Sequence, residues 1–405
     1  MSVPGPPEGP FGGGDDPFQG MPFLGDLMRM IQQQGTVSWD AARQLAMSIA
    51  TGGQSEPNVD PLERVKLEQL TRVADLRVAD ATGLTTSMTG KLITIVPVTR
   101  GQWVQRSADT YRQLFEQVAG SLSSLPSSRG DPYDADEGDD PMTAWMGGIM
   151  KMLAPMMLGM TAGSMLGHLA RRSFGQYDLP VPRAPSDELL LVTPTIDEFG
   201  QEWSLPGDDL LLWVCIHEVA HHAVLGVPHV RSRLADLMGR YTAGFEPDPR
   251  ALEERIGDIS LDDPSALAGI QQTLGDPEVL LGAIQSPAQR QLLPGLEALV
   301  AVIVGYVDHV MDQVGDQLIG SYSMLTEAVR RRRVEADPSD RLVQRMLGLE
   351  LSQGQYERGS AFVAGVVERA GREGLDRLWR SEVELPTPAE VDAHGLWLAR
   401  IDLPG

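Results

Sequence analysis

The segment Leu210–Leu225 constrains this chain more than any other part of its sequence. It reads LLLWVCIHEVAHHAVL, an apolar helix interrupted by the polar side chains of His217, Glu218 and His221. Since a helix turns about 100° per residue, the two histidines lie about 40° apart and one turn apart, so both imidazoles can reach one metal ion. Glu218 projects beside that ion, where it can accept a proton from a metal-bound water, as in hydrolytic zinc sites.

An ordinary buried helix, whose histidines hydrogen-bond to neighbouring groups, is the alternative interpretation of this segment. Two imidazoles and a carboxylate are costly to bury without a purpose, which favours a functional role. A short apolar strand predicted at Glu188–Ile196 precedes the helix, and Asp208 or Asp209 can cap its start. The pattern therefore predicts a zinc ion held by His217 and His221.

A catalytic zinc ion also needs a third protein ligand, for which the sequence offers two candidates. One class of zinc peptidase has a third histidine six residues after His221, but this chain has Val227 there, and His229 follows two residues later. The other candidate is a carboxylate on a second helix, predicted at Gly295–Leu318. Asp308 lies among apolar residues of that helix, so solvation explains it poorly. We predict Asp308 as the third zinc ligand.

Charge and cysteine content limit the partners and the compartment. The net charge of −23 argues against binding to nucleic acid or to anionic membrane surfaces. The single basic run, Arg330–Arg333, is then expected to form ion pairs within the chain. One cysteine, Cys215, excludes an internal disulfide and fits a reducing, cytoplasmic compartment. The class of the H-E-x-x-H motif leads us to expect a peptide or protein substrate, and the sequence leaves the oligomeric state open.

Composition divides the chain into four parts. Residues 1–20 are rich in glycine and proline and are predicted to be a disordered tail, and residues 21–126 carry helical patterns. Residues 127–141 form a predicted acidic linker loop, and residues 142–405 contain the motif helix and further helices. Because only two or three short strands are predicted, we expect a mainly α (α+β) fold with a few short strands beside the motif helix.

The segment Met152–Leu169 has two interpretations. It contains no Asp, Glu, Lys or Arg, and Gly159, Gly163 and Gly167 form a G-x-x-x-G-x-x-x-G pattern. The pattern is consistent with a membrane span or with a buried helix whose glycines allow close packing. The proline and the histidine inside the segment favour burial, so membrane association is the less favoured alternative.

Ten stretches along the chain resemble the zincin-like metallopeptidase type 2 family, one branch of which is associated by name with biosynthesis of a deazaflavin coenzyme. They are MPFLGDLMRM, VSWDAARQLA, NVDP, VTRGQWV, FGQYDLPVP, LWVCIHEVAHH, GYVDHVMD, EAVRRRR, MLGLEL and DRLWRSEVELPTPAEVD, which together span about residues 21 to 402. The resemblance implies an α-rich zincin-like fold, zinc as cofactor and peptidase activity on an undefined substrate.

The second helix departs from the pattern of that family. The family usually has E-G-x-x-D there, in which the Glu resembles a third zinc ligand and the Asp a partner of a ligating histidine. This chain has Val304 at the Glu position and keeps Asp308. Either Asp308 coordinates the metal directly, or the metal site is incomplete and the chain is a catalytically inactive zincin-like scaffold or binding protein.

Overall fold

Helices form most of the chain in the computed structural model, which describes residues 36–123, 141–246, 285–335 and 338–402. The first elements are α1 (Trp39–Thr51), α2 (Pro61–Thr82), β1 (Thr94–Val98), α3 (Arg100–Ser123), α4 (Pro141–Arg172) and β2 (Glu188–Val192). They are followed by α5 (Thr193–Glu202), α6 (Gly207–Gly226), α7 (Pro228–Thr242), α8 (Pro287–Leu318) and α9 (Tyr322–Val334). The last are α10 (Pro338–Leu347), α11 (Gln353–Asp376), α12 (Pro388–Asp392) and α13 (His394–Asp402), with short 3-10 turns at Arg377–Trp379 and Glu382–Glu384. The prediction of a mainly α fold is confirmed.

One hydrophobic core runs through the described part of the chain. Its buried residues extend from Ala42 in α1 to Ile401 in α13, so the predicted regions 21–126 and 142–405 contribute to the same core. The predicted tail at 1–20 lies outside the described residues, as does the predicted acidic linker at 127–141 except for its last residue.

The two described strands form a small parallel sheet. Thr94 pairs with Glu188 at one end of the ladder, and Val98 pairs with Val192 at the other. The strand predicted at Glu188–Ile196 is thus shorter than expected. It ends at Val192 because the following Thr-Pro pair starts α5, where proline is favoured in the first turn.

Helix α6 carries the histidine motif and lies in the core. Its apolar residues are buried on all sides, as expected for a helix without a polar face. It packs against α2, α8, α7 and α5. Asp208 and Asp209 lie in its first turn rather than at the N-cap, which is Pro206. From there, the Asp209 carboxylate accepts hydrogen bonds from the backbone and hydroxyl of Ser321 and so ties α6 to the start of α9.

The glycine pattern of α4 faces α1. A Cβ atom added at Gly163 would lie 2.4 Å from the carbonyl oxygen of Ala42, and one at Gly159 would lie 2.4 Å from that of Ser38. Backbones this close require glycine, since any side chain would separate the helices. The buried-helix interpretation of the glycine pattern therefore fits the structure.

Among the described helices, α8 is long and apolar enough to cross a membrane by length and composition. Of its most apolar window, 67% is buried inside the protein. The pair α6 and α7 passes the same test only jointly, and the two helices meet at an angle of 88°. Core helices of soluble proteins share these features, so they are weak support for a membrane span.

Candidate functional site

The two histidines of the motif lie side by side on α6. Their ring centroids are 4.4 Å apart with an interplanar angle of 53°, and the indole of Trp213 stacks on His217 at 5.2 Å. Nδ1 of His221 lies 3.2 Å from the carbonyl oxygen of His217, to which it can donate a hydrogen bond. That leaves Nε2 of His221 with its lone pair free to bind a metal. The structure thus brings together the imidazole pair that the sequence predicts.

Glu218 points into the protein and is fully buried. Its Oε2 accepts hydrogen bonds from the backbone N–H of Gln176 at 2.9 Å and of Tyr177 at 3.1 Å. Only glycine fits at position 175, because a Cβ there would lie 2.3 Å from the Cδ of Glu218. Burial raises the pKa of Glu218, against the opposing effect of His217, whose Nδ1 is 3.5 Å from Oε1. The carboxylate therefore anchors the segment before β2.

That segment, residues 173–178, contains a carboxylate that the sequence reasoning did not single out. Oδ2 of Asp178 accepts hydrogen bonds from the backbone N–H of Phe174 at 2.7 Å and of Gly175 at 3.0 Å. The indole of Trp103 donates to the carbonyl of Gly175 at 2.8 Å. Asp178 also lines a cavity together with His217. An acidic residue within FGQYDLPVP, one of the stretches that resemble the family, was the signal that could have identified it.

Asp308, the predicted third ligand, binds an arginine. Its Oδ2 and Oδ1 accept hydrogen bonds from Nη1 and Nη2 of Arg333, each at 3.1 Å. The guanidinium also lies over the ring of Tyr356, 4.1 Å from its centroid. Because a bidentate guanidinium–carboxylate pair is a strong and geometrically specific contact, both carboxylate oxygens of Asp308 are engaged. The predicted alternative, His229, lies in the first turn of α7, beyond the end of α6.

Two cavities adjoin the motif. One, of about 70 Å³, is lined by Trp213, His217, Asp178 and Arg333 among others, and is large enough for several water molecules. The other, of about 210 Å³, is lined by Trp213, Asp308 and Arg333 among others. Arg333 and Trp213 line both cavities, so the Arg333 side chain lies between the side of the site that holds His217 and the side that holds Asp308.

Tyr177 connects the motif to a second buried histidine, which the sequence reasoning also missed. Its hydroxyl lies 3.0 Å from Nδ1 of His222, and its ring stacks on His221 at 6.1 Å. Nε2 of His222 lies 3.8 Å from Oδ1 of Asp187. Burial lowers the pKa of His222 to about 4, although the Asp187 carboxylate acts in the opposite direction. The third histidine in the sequence HEVAHH was the available signal.

These residues do not fit a catalytic zinc ion. Within residues 36–123, 141–246, 285–335 and 338–402, no group of three or more His, Cys, Asp or Glu side chains is arranged to hold a metal. Two imidazoles remain as donors, because Asp308 is bound to Arg333 and Val304 is a buried apolar residue. The carboxylate of Asp178, which lines the cavity beside His217, is bound to the backbone N–H groups of Phe174 and Gly175. Two imidazoles bind zinc more weakly than the three protein ligands of catalytic sites.

A mainly helical fold with an H-E-x-x-H helix in its core is typical of the zincin-like class of proteins. The chain belongs to the zincin-like metallopeptidase family, whose model matches residues 37–398. That match confirms the family resemblance and the zincin-like fold predicted from the sequence.

One solved structure with the same fold comes from Chloroflexus aurantiacus and is described as "a putative hydrolase with a novel fold". It is 24% identical, with a TM-score of 0.65 over 91% of this chain and 100% of the other. At this identity the likeness concerns the fold alone. A search of curated proteins gave no match.

Proposed function

We propose that this chain is a zincin-like scaffold or binding protein that retains the hydrolase framework without a catalytic zinc ion. The observation that carries this proposal is the pairing of both Asp308 oxygens with Arg333. Asp308 is the carboxylate that the sequence predicts as the third zinc ligand. Because both of its oxygens bind Arg333, neither is free to coordinate a metal ion. The departure of the second helix from the family pattern, with Val304 in place of the Glu, supports the same conclusion.

The placement of Glu218 supports the proposal independently. A general base must lie within hydrogen-bond reach of the water that it activates. Both oxygens of Glu218 instead accept from backbone N–H groups, Oε1 from Tyr177 at 3.3 Å and Oε2 from Gln176 and Tyr177. In this role the carboxylate fixes the 173–178 segment against α6, which is a structural function.

A second candidate is the zinc-dependent metallopeptidase predicted from the sequence, in which His217, His221 and Asp308 bind Zn²⁺ and Glu218 is the general base. The centroid separation of 4.4 Å between the two imidazoles favours it. This candidate requires that Asp308 leave Arg333 and that Glu218 leave the backbone of the 173–178 segment.

A cleavage assay distinguishes the two candidates. The purified full chain and its Glu218→Gln variant are incubated, with excess zinc, with a mixture of unstructured peptides, and new peptide N-termini are counted by mass spectrometry. The scaffold proposal predicts equal, background-level cleavage for both proteins. Chelator-sensitive cleavage by the wild type that Glu218→Gln abolishes would establish the peptidase instead.

The substitution Val304→Glu tests whether the missing third ligand explains a low zinc content of the chain. In a protein that lacks the third ligand, Val304→Glu should raise zinc content from well below one equivalent toward one equivalent per chain. The matched control is Val304→Gln, which has nearly the same size but is a poor zinc ligand. Equal zinc content in wild type and Val304→Glu would contradict this explanation.

We further propose a peptide or protein as the binding partner and the cytoplasm as the compartment. The net charge of −23 disfavours nucleic acid, and Cys215 is a buried free thiol, as expected in a reducing compartment. Retention of the purified chain by double-stranded DNA at physiological salt would contradict the first part, and export of the full-length chain from cells would contradict the second.

A further inference from the structure

We infer that the imidazole pair of His217 and His221 is a latent metal site that the guanidinium of Arg333 keeps from binding a divalent ion. This inference rests on the proposed function, since it explains why a zincin-like protein with an intact H-E-x-x-H pattern would not hold zinc. It assigns to Arg333 two effects, electrostatic repulsion of the ion and removal of a carboxylate ligand.

The position of Arg333 carries the first effect. Its side chain lines the cavity of about 70 Å³ that His217 also lines, and only 20% of it is exposed. The guanidinium is held there by Asp308 and by the ring of Tyr356. Arginine stays protonated at all physiological pH values, so this positive charge is permanent. A divalent cation bound at the imidazoles would lie in the field of that charge.

The contact with Asp308 carries the second effect. A carboxylate that accepts two hydrogen bonds from one guanidinium cannot turn toward a metal without leaving a buried cation unpaired. Breaking such a pair is strongly unfavourable, which reduces the gain from coordination. The same side chain that repels the ion therefore also holds the nearest candidate ligand on the second helix.

Space is not what prevents metal binding. A cavity of about 70 Å³ beside His217 exceeds the volume that one water molecule needs, and its lining includes the carboxylate of Asp178. The imidazole of His217 borders this cavity, whereas that of His221 is buried beside it. Charge and ligand supply thus remain as the obstacles. Arg172 and Arg332 also line this cavity, but of the three guanidinium groups it is that of Arg333 that binds Asp308 through both carboxylate oxygens.

The test compares two arginines of the same run. Arg333→Gln removes the buried cation, whereas Arg331→Gln removes an exposed one that pairs with Glu327 four residues earlier on the helix surface. Each full-length variant and the wild type are titrated with Co²⁺, whose visible absorbance reports coordination by imidazole and carboxylate. We expect Arg333→Gln to bind one equivalent at least about tenfold more tightly than the wild type, and Arg331→Gln to match the wild type.

A second variant guards against misfolding of Arg333→Gln, which leaves Asp308 without its partner. The double variant Arg333→Gln/Asp308→Asn replaces the ion pair by two amides of similar size, and it should still bind Co²⁺ more tightly than the wild type. Equal affinity of the folded variants and the wild type overturns the inference but leaves the proposed function intact. A wild type that is already saturated with zinc overturns both.

Discussion

At the scale of single residues, Glu218 was expected to activate a metal-bound water, but its carboxylate accepts hydrogen bonds from the backbone. Its carboxylate accepts hydrogen bonds from the backbone N–H groups of Gln176 and Tyr177, and both residues are buried away from solvent. Buried backbone donors without acceptors are strongly unfavourable, so the contact contributes to stability whether or not a metal is bound.

The substitution Glu218→Ala should therefore lower the free energy of unfolding by about 2–4 kcal/mol, because it leaves two buried N–H groups unsatisfied and opens a cavity. Chemical denaturation measures the change. The control is Asp208→Ala on the same helix, whose carboxylate is exposed and pairs with Lys66 at the surface, and it should change stability by less than about 1 kcal/mol. A stability unchanged by Glu218→Ala would indicate a carboxylate kept for catalysis alone.

Asp187 gives a prediction on pH. Burial alone would raise the pKa of this carboxyl, but hydrogen bonds from the Thr89 hydroxyl and from the backbone N–H groups of Met88, Lys91 and Thr89 lower it to about 2. Because the folded pKa lies below the unfolded value near 4, the stabilisation is present above about pH 4 and is lost as the pH falls toward 2.

For Asp187→Asn we expect a loss of about 2 kcal/mol in unfolding free energy near pH 7. Denaturation curves for both proteins at a series of pH values should show this gap narrowing between about pH 4 and pH 2. A gap that stays constant over that range would show that the ionisation of Asp187 does not stabilise the fold.

At the scale of elements, the contact between α1 and α4 depends on glycine. The substitution Gly163→Ala would place a Cβ 2.4 Å from the Ala42 carbonyl oxygen and force the helices apart. We expect it to destabilise the protein by about 1–3 kcal/mol, as overpacking does. The matched control is Gly120→Ala in α3, where no atom lies within 4 Å and the higher helix propensity of alanine should stabilise by about 1 kcal/mol. Thermal unfolding of both variants would reveal the expected opposite signs.

The elements themselves were largely predictable. The apolar run predicted α6 at Leu210–Leu225, and the helix spans Gly207–Gly226, because a long apolar segment without helix breakers has few other solutions. The end of the second strand was predicted wrongly: the prediction placed it at Ile196, and the strand ends at Val192. Pro194, which lies in the first turn of the next helix, was a usable signal.

The site was predictable only where it lies on one helix. Helical geometry fixes the relation of His217 to His221, but Asp308 and Arg333 are 25 residues apart on α8 and α9. No local pattern gives the relative orientation of two helices, so their ion pair could not be derived from the sequence. The direction of Glu218 likewise depends on the distant segment around Gly175.

At the scale of the whole molecule, the fold is that of the family, whereas the metal-binding side chains are those of our proposed incomplete site. The fold, the core position of α6 and the imidazole pair are those of a zincin-like protein. In our proposal, Val304, the Arg333–Asp308 pair and the buried Glu218 leave this framework without a complete metal site. Stability of the molecule should then depend on its core packing rather than on a bound ion.

Elemental analysis of zinc in the wild-type chain, purified without chelators, tests the central claim most directly. A protein whose imidazole pair lacks a third ligand should contain well below one equivalent of zinc per chain, and its melting temperature should not change on dialysis against a chelator. One full equivalent of zinc, together with a lower melting temperature after its removal, would contradict the account.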